Sequence, residues 1–444
     1  MNSNVTTQMS DQRTTETPAE EKSRLRKVLA ATLIGTTVEW YDFYLYATMA
    51  SIVFGELFFS ESSSETATLK AFATFAVGFI ARPIGGIVFG RMGDRIGRKK
   101  TLVITFALMG ISTFLIGVLP TYDSIGVVAP IFLVILRVFQ GMGAGAEYAS
   151  AAVNSYEHAR AKHRGRQGAW PALGLNLGLV LSSATIFVLT INGDDFLMNG
   201  GWRIPFIISL VLVGIGMWVR KSLPESPDFT EKVVTKEKKA RFSEVFTSNW
   251  KGMLVVLGVA VGYNALSYIF KTFSVAYLKE FQDISANVAS GAVMVAGIIA
   301  IFVVPVFGEA CDRFGSKKVI SAGGFFSILF AFIFLWLLQT GETWGAYLAI
   351  GVGTGILAPM MFSAQGSFLS RQFPTAVRST GVGTSREIGT AIAGGLAPLG
   401  ALSLVTASPT NSTFGVGLVL VASGIAVVAF AFFDQGRHLT AEKN

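Results

Sequence analysis

Along the chain, apolar blocks of about 20 residues alternate with short polar stretches, and twelve such blocks can be counted. They fall at roughly 28–50, 68–90, 101–120, 127–150, 167–190, 203–219, 252–277, 288–308, 319–339, 345–369, 380–403 and 413–433. Each is long enough to cross a hydrocarbon layer of about 30 Å as one helix. The pattern therefore predicts an all-α membrane protein with twelve transmembrane helices.

Composition sharpens this reading. Hydrophobic residues make up 51% of the 444 positions and charged residues only 14%, where a soluble domain carries about 25% charge. Residues 1–27 form a polar tail of mixed charge, with no short apolar core or small-residue cleavage site, so the first block is expected to stay in the mature protein. Segments left in the cytoplasm collect Lys and Arg. With the N-terminus inside, the two tails and five inner loops hold 29 of the 36 Lys and Arg. Both termini are thus expected in the cytoplasm, with the chain in the plasma (inner) membrane among its lipids. The same bias explains the net charge of +8 without a nucleic-acid partner. Cys311 is the one cysteine, so no intramolecular disulfide can form. The three histidines, His158, His163 and His438, lie in expected inner segments, and neither a metal nor a cofactor is expected.

The longest polar stretch after the N-terminus separates six blocks from six. The expected organisation is a tail over 1–27, a six-helix bundle over 28–219, a central cytoplasmic loop over 220–251, a second six-helix bundle over 252–433 and a tail over 434–444. Residues 241–250 have the composition of a short amphipathic surface helix, or of a solvated linker. The halves share a repeat: Gly90-Arg-Met-Gly-Asp-Arg-Ile-Gly-Arg-Lys-Lys100 matches Gly308-Glu-Ala-Cys-Asp-Arg-Phe-Gly-Ser-Lys-Lys318, with Asp94 and Asp312 218 residues apart. Glycines permit a tight turn and close helix approach, and an Asp can serve a helix N-terminus. A loop that merely retained cations would not repeat Gly, Asp, Arg and Gly in register.

This repeat resembles the inner-gate motif of the major facilitator superfamily, which implies two pseudo-symmetric six-helix bundles rocking about a central cavity. The resemblance makes Gly90, Asp94, Arg95, Gly97, Arg98, Asp312 and Arg313 gate residues. A narrower likeness is carried by Glu39-Trp-Tyr-Asp-Phe-Tyr44, by Arg137, Gln140 and Gly141 with Glu147, and by Gly201-Trp-Arg-Ile-Pro-Phe206 and Pro224-Glu-Ser-Pro227. Phe373-Pro-Thr-Ala-Val-Arg-Ser-Thr-Gly381 and Gly394-Gly-Leu-Ala-Pro398 extend it into the second half. Together these are similar to the metabolite:proton symporter family, which implies import of organic acids or betaines with protons. Arg386 and Glu387 depart from that family's pattern.

Ionisable residues inside the blocks are the candidates for chemistry: Glu39, Asp42, Arg82, Arg137, Glu147, Lys271, Arg386 and Glu387. At about 3 kcal/mol each, eight lipid-facing charges would cost on the order of 24 kcal/mol, so most must face protein or a water-filled cavity. Glu39 and Asp42 share a helix face, and two ionised carboxylates side by side repel, which favours one of them holding a proton. They are the expected proton-coupling pair. Tyr41 and Tyr46 join them as expected substrate contacts. Arg137 and Gln140 share a face of the fourth block, where the Arg either holds a substrate carboxylate or stands as counter-ion to Glu39 or Asp42. Glu147, about 15 Å further along by the helical rise, is assigned to the gate. Asn264, Ser267, Tyr268 and Lys271 offer a cation, an amide and hydroxyls in block seven, suited to a hydroxylated or carboxylated solute. Arg386 and Glu387 complete the expected substrate contacts with Arg137, Gln140 and Lys271; being adjacent they point about 100° apart and are not expected simply to pair. Arg82, beside Pro83, is expected to brace the gate.

The leading expectation is secondary import of a small organic anion by proton symport, the solute being shikimate-like, an aromatic hydroxy acid or a dicarboxylate. The protein would function as a monomer. Betaine import, drug efflux by proton antiport and a membrane sensor are the alternatives. Cations in blocks four, seven and eleven weigh against efflux, and about eleven residues after the last block leave little for a sensor domain. No Gly-x-x-x-x-Gly-Lys-Ser/Thr pattern is present to support ATP use, and an enzyme is not expected.

Overall fold

The computed structural model describes residues 18–96, 98–145, 152–153, 155–156, 159, 161–191, 195–221, 248–374 and 377–434. Among the described residues twelve helices correspond to the twelve apolar blocks. They are α1 (Pro18–Ile52), α2 (Ser64–Ile96), α3 (Arg98–Val118), α4 (Val128–Ala144), α5 (Arg164–Leu189), α6 (Leu197–Trp218), α7 (Trp250–Gln282), α8 (Ala286–Phe314), α9 (Ser316–Gln339), α10 (Thr343–Ser370), α11 (Arg378–Thr406) and α12 (Phe414–Phe432). Several begin or end outside their apolar block. Helix α1 starts ten residues before residue 28, within the segment expected as a tail. Of residues 220–251, the stretch 222–247 lies outside the described residues, and the expected surface helix with it.

Neighbour relations in the first half recur in the second when each helix number is raised by six. Helix α1 lies on α5 and α6 as α7 lies on α11 and α12; α2 lies on α4 as α8 on α10; α3 lies on α4 and α6 as α9 on α10 and α12. The halves meet along α5 with α8 and, by the same rule, α11 with α2. Lateral position follows from sequence. Helices α6, α9 and α12 turn large apolar side chains outward, among them Val211, Trp218, Phe326, Trp336, Leu418 and Phe432, the last 73% exposed. Such a surface suits lipid and not water. Helix α7, in contrast, is buried almost throughout.

Two local features place the interior charges. Helices α2 and α4 touch backbone to backbone: a Cβ added to Gly85 would stand 2.0 Å from the Met142 carbonyl oxygen, and one added to Gly145 2.0 Å from that of Arg82. Small residues are what allow such an approach, and it carries Arg82 and Arg137 into one interior. The second feature is a widened π-type turn within each of α7, α10 and α11, at Ile269–Phe273, Gly353–Leu357 and Ala391–Gly395. Such turns shift the faces of a helix and gather at functional sites; the first contains Lys271.

The repeated loop is shorter than its polar length implies. In the second copy, α8 runs through Asp312 and Arg313 to Phe314, Gly315 takes a left-handed backbone (φ +89°), and α9 begins at Ser316. A side chain there would be strained. In the first copy, Gly90, Asp94 and Arg95 continue α2 and Arg98 starts α3. Gly97, Glu147 and the side chains of Asp94, Arg95 and Arg98 lie outside the described residues.

Candidate functional site

Two polar networks occupy the bundle interior. The first joins the halves. The Arg82 guanidinium of α2 donates to Glu39 Oε1 of α1 at 2.8 Å and to Glu387 Oε2 of α11 at 2.7 Å, while Arg386 donates to Glu387 Oε1 at 2.6 Å. All four side chains are buried. Trp40, Phe43 and Phe79 surround the Arg82 guanidinium, with ring centres 4.9–5.7 Å from its carbon. Aromatic faces and paired carboxylates are what make such a burial tolerable. Arg82, expected as a gate brace, is therefore the centre of a four-residue ion cluster. Arg386 and Glu387, expected to point apart, do pair. The reason is side-chain length: Glu387 reaches Arg82 with one oxygen, which turns the other toward Arg386.

The second network lies within the first half. Asp42 Oδ2 accepts from the Thr113 hydroxyl of α3 at 2.9 Å, and Gln140 of α4 donates to that hydroxyl at 2.7 Å. Arg137 donates to Gln140 Oε1 and, at 3.3 Å, to the Phe75 carbonyl, with its guanidinium carbon 3.8 Å from the Tyr46 ring centre. Asp42 is thus linked to Arg137 through two uncharged side chains and, among the described residues, bonds no cation directly. Glu39 and Asp42, expected to act on one another as neighbours, are drawn apart by different helices: α2 holds the first and α3 the second.

Between the halves lies a small cavity of about 10 Å³, room for about one water. Tyr44, Thr48 and Ser51 of α1 and Lys271 and Thr272 of α7 line it. The Lys271 ammonium, only 5% exposed, donates to the Tyr44 hydroxyl at 2.9 Å and to Ser267 Oγ at 2.8 Å. The rings of Tyr44 and Tyr268 both lie 4.6 Å from it. Among the described residues both of its hydrogen bonds go to hydroxyls and none to a carboxylate.

Of the expected substrate contacts, Lys271 lines this cavity, with Ser267 bonded to its ammonium and the Tyr268 ring beside it, while Arg137 and Gln140 belong to the second network and Arg386 and Glu387 to the first. Tyr41 instead donates to the Pro205 carbonyl of α6, Tyr46 bonds Thr74 beneath Arg137, and Asn264 reaches Ala260 and Thr390. Tyr44 and Thr113 were missed as site residues. Tyr44 closes the Glu39–Tyr44 segment, two residues beyond Asp42. Thr113 shares its apolar span with Thr101, Thr105 and Ser112, and nothing in the sequence sets it apart.

A protein-family model described as Major Facilitator Superfamily matches residues 32–398. The chain belongs to the major facilitator superfamily. It is a membrane-spanning transporter in which the repeated helix neighbours are the superfamily's two bundles. It is 37% identical over 422 residues to the inner membrane metabolite transport protein YhjE of Escherichia coli (strain K12), covering 93% of this chain and 94% of that one. It is 32% identical over 389 residues to the shikimate transporter of the same organism, at 86% and 89% coverage, and 33% identical over 402 residues to its proline/betaine transporter, at 87% and 79%. Among solved structures, the crystal structure of the D-xylose-proton symporter superposes with a TM-score of 0.70 at 18% identity, covering 92% of this chain and 97% of that one.

In this superfamily member both ends of the half-to-half interface are fastened. At one end Asp312 of α8 accepts from the Gly165 and Arg166 backbone N–H groups, at 2.6 and 3.1 Å, and so caps the first turn of α5. Next to it α5 and α10 meet through glycines: a Cβ on Gly366 would stand 2.1 Å from the Gly168 carbonyl oxygen. Among the described residues Arg313 pairs with Glu309 on its own helix, in an exposed pair. At the other end Glu280 of α7 accepts from Ser64 and Thr68 of α2, and Lys279 donates to the Ile52 carbonyl and to Glu56.

Proposed function

We propose that the protein imports a small organic anion by proton symport, with Lys271 holding the substrate carboxylate and Asp42 carrying the proton. The observation that carries this reading is the Lys271 ammonium. It is buried at a cavity between the halves and satisfied by hydroxyls alone, so a solute carboxylate gains a charge-assisted bond there that no protein carboxylate already provides. Tyr44, Thr48 and Ser51 favour a hydroxylated acid, of the shikimate-like or aromatic hydroxy type, ahead of a dicarboxylate. Arg137 acts as standing counter-charge to the Asp42 chain, and Glu39 holds Arg82. The Asp312 and Glu280 ends open in turn, and the Lys and Arg bias puts the Asp312 end and both termini on the cytoplasmic side. The relatives named for metabolite, shikimate and proline/betaine transport support a solute carrying a carboxylate.

The test is uptake of labelled shikimate, 4-hydroxybenzoate, succinate and glycine betaine into proteoliposomes, with and without an inside-alkaline gradient. Accumulation of an organic acid only under the gradient is expected. Gradient-independent accumulation removes the symport reading, and accumulation of glycine betaine alone removes the anion.

A further inference from the structure

Among the described residues seven Asp, Glu, Lys and Arg side chains of the bundle are buried: the cations Arg82, Arg137, Lys271 and Arg386, and the carboxylates Glu39, Asp42 and Glu387. Glu39 and Glu387 each hold a guanidinium directly, and with Arg82 and Arg386 they form a neutral quartet. A proton on either carboxylate would leave two buried guanidinium charges facing a single carboxylate charge. Asp42 is different. Its bonded oxygen accepts from the Thr113 hydroxyl and, among the described residues, from no guanidinium. The charged group facing it from a neighbouring helix is Arg137 of α4, reached through Gln140 and Thr113, and Glu39 and Tyr41 are its ionisable neighbours on α1. Helices α5 and α6, packed against α1, carry no ionisable side chain between Gln167 and Leu189 or between Ile204 and Val219. One carboxylate is therefore placed to exchange a proton without breaking an ion pair, and one cation, Lys271, faces the cavity without a carboxylate.

We infer that each cycle moves one proton on Asp42 together with one carboxylate on Lys271, so that transport carries no net charge and the solute is a monocarboxylate. This rests on the proposed symport of an anion and adds to it the charge class and the ratio. The balance is simple: a proton from the outer water binds an Asp42 oxygen, the monoanion binds the Lys271 ammonium, and both leave on the far side. The buried groups hold one net positive charge when empty and the same when loaded. Among the residues that line the cavity Lys271 is the one cation, so a second carboxylate has no counter-charge there.

The experiment repeats uptake of the same four labelled solutes in proteoliposomes while valinomycin and potassium set the membrane potential. Each uncompensated charge moved across 100 mV changes the accumulation ratio about 50-fold, equivalent to about 2.3 kcal/mol. Expected is accumulation of shikimate or 4-hydroxybenzoate driven by the proton gradient, altered less than about twofold by potentials of either sign. A tenfold opposing solute gradient should balance a tenfold proton gradient. Accumulation raised tens of fold by an interior-negative potential, or gradient-driven uptake of succinate in preference to the monocarboxylates, overturns the inference and leaves proton symport standing. Uptake indifferent to the proton gradient removes symport itself. In Asp42→Asn, gradient-driven accumulation should vanish and solute counterflow persist, with net uptake now drawn by an interior-positive potential because the anion moves alone. Proton-driven accumulation in that variant would put the proton elsewhere. Should the variant not fold, the wild-type response to potential still decides.

Discussion

Replacing Gly366 by alanine adds one carbon to the contact between α5 and α10. That carbon would stand 2.1 Å from the Gly168 carbonyl oxygen, so the two backbones must move apart by about 1 Å to reach ordinary contact. Overpacking of this kind costs about 1–3 kcal/mol. The cost falls on the state described here, in which the Asp312 end is closed and the contact is made. The open fraction should rise by a factor of about 5 to 150. Alanine is also the better helix former, so general unfolding is not the expected result. The chain carries its own reporter, since Cys311, 6% exposed, lies under the same clasp: a Cβ on Gly165 would stand 2.7 Å from the Cys311 Cβ. Its alkylation by a small maleimide, followed by mass in detergent micelles, should accelerate in proportion to the open fraction. Gly400→Ala, where nothing lies within 4 Å of the added carbon, is the control and should match wild type. If Gly366→Ala reacts within twofold of wild type while keeping its helical circular dichroism, the glycine contact does not govern opening.

Asp312→Ala removes both caps from α5 and should also speed Cys311 alkylation, by about tenfold, whereas Glu309→Gln, which touches only Arg313, should not. Lys271→Gln should raise the KM for the transported acid by about 30-fold or more, with Lys271→Arg retaining part of the affinity; equal KM in the glutamine variant would remove Lys271 from the site. Glu387→Gln leaves Arg386 without its carboxylate and should lower thermal stability in detergent by about 3 kcal/mol. The double change Arg386→Leu with Glu387→Leu should be less damaging than Glu387→Gln alone, and a strictly additive loss would mean the four residues do not act as one network.

The scaffold was open to reading because lipid imposes one length on every spanning helix, so twelve apolar blocks became twelve helices. Burial of the charges was equally readable, since Arg137, Lys271 and the acidic residues of α1 are too expensive to face lipid. What periodicity does not report is which neighbour a side chain meets. Glu39 and Asp42 lie on one face by their spacing, yet α2 takes one and α3 the other. Arg82 has a proline beside it and a charged loop after it, both signs of a gate, but its partners come from α1 and α11, far away in sequence. The widened turn at Ile269–Phe273 leaves no mark in composition, although Lys271 sits in it. Gly168 and Gly366 are two among 48 glycines, and only the crossing of α5 and α10 sets them apart.

The quartet around Arg82 has a consequence for how the protein comes apart. Glu39 and Arg82 belong to the first bundle, Arg386 and Glu387 to the second, and among the ion pairs of the described residues the Arg82 to Glu387 bond is the one that runs between them. When the bundles separate along α2 and α11, each departs with an acid and a base of its own. The fracture line passes between two complete salts, so no bare ion is stranded in oil at any point of the stroke. A joint divided in this way can be strong at rest and still be opened and remade thousands of times.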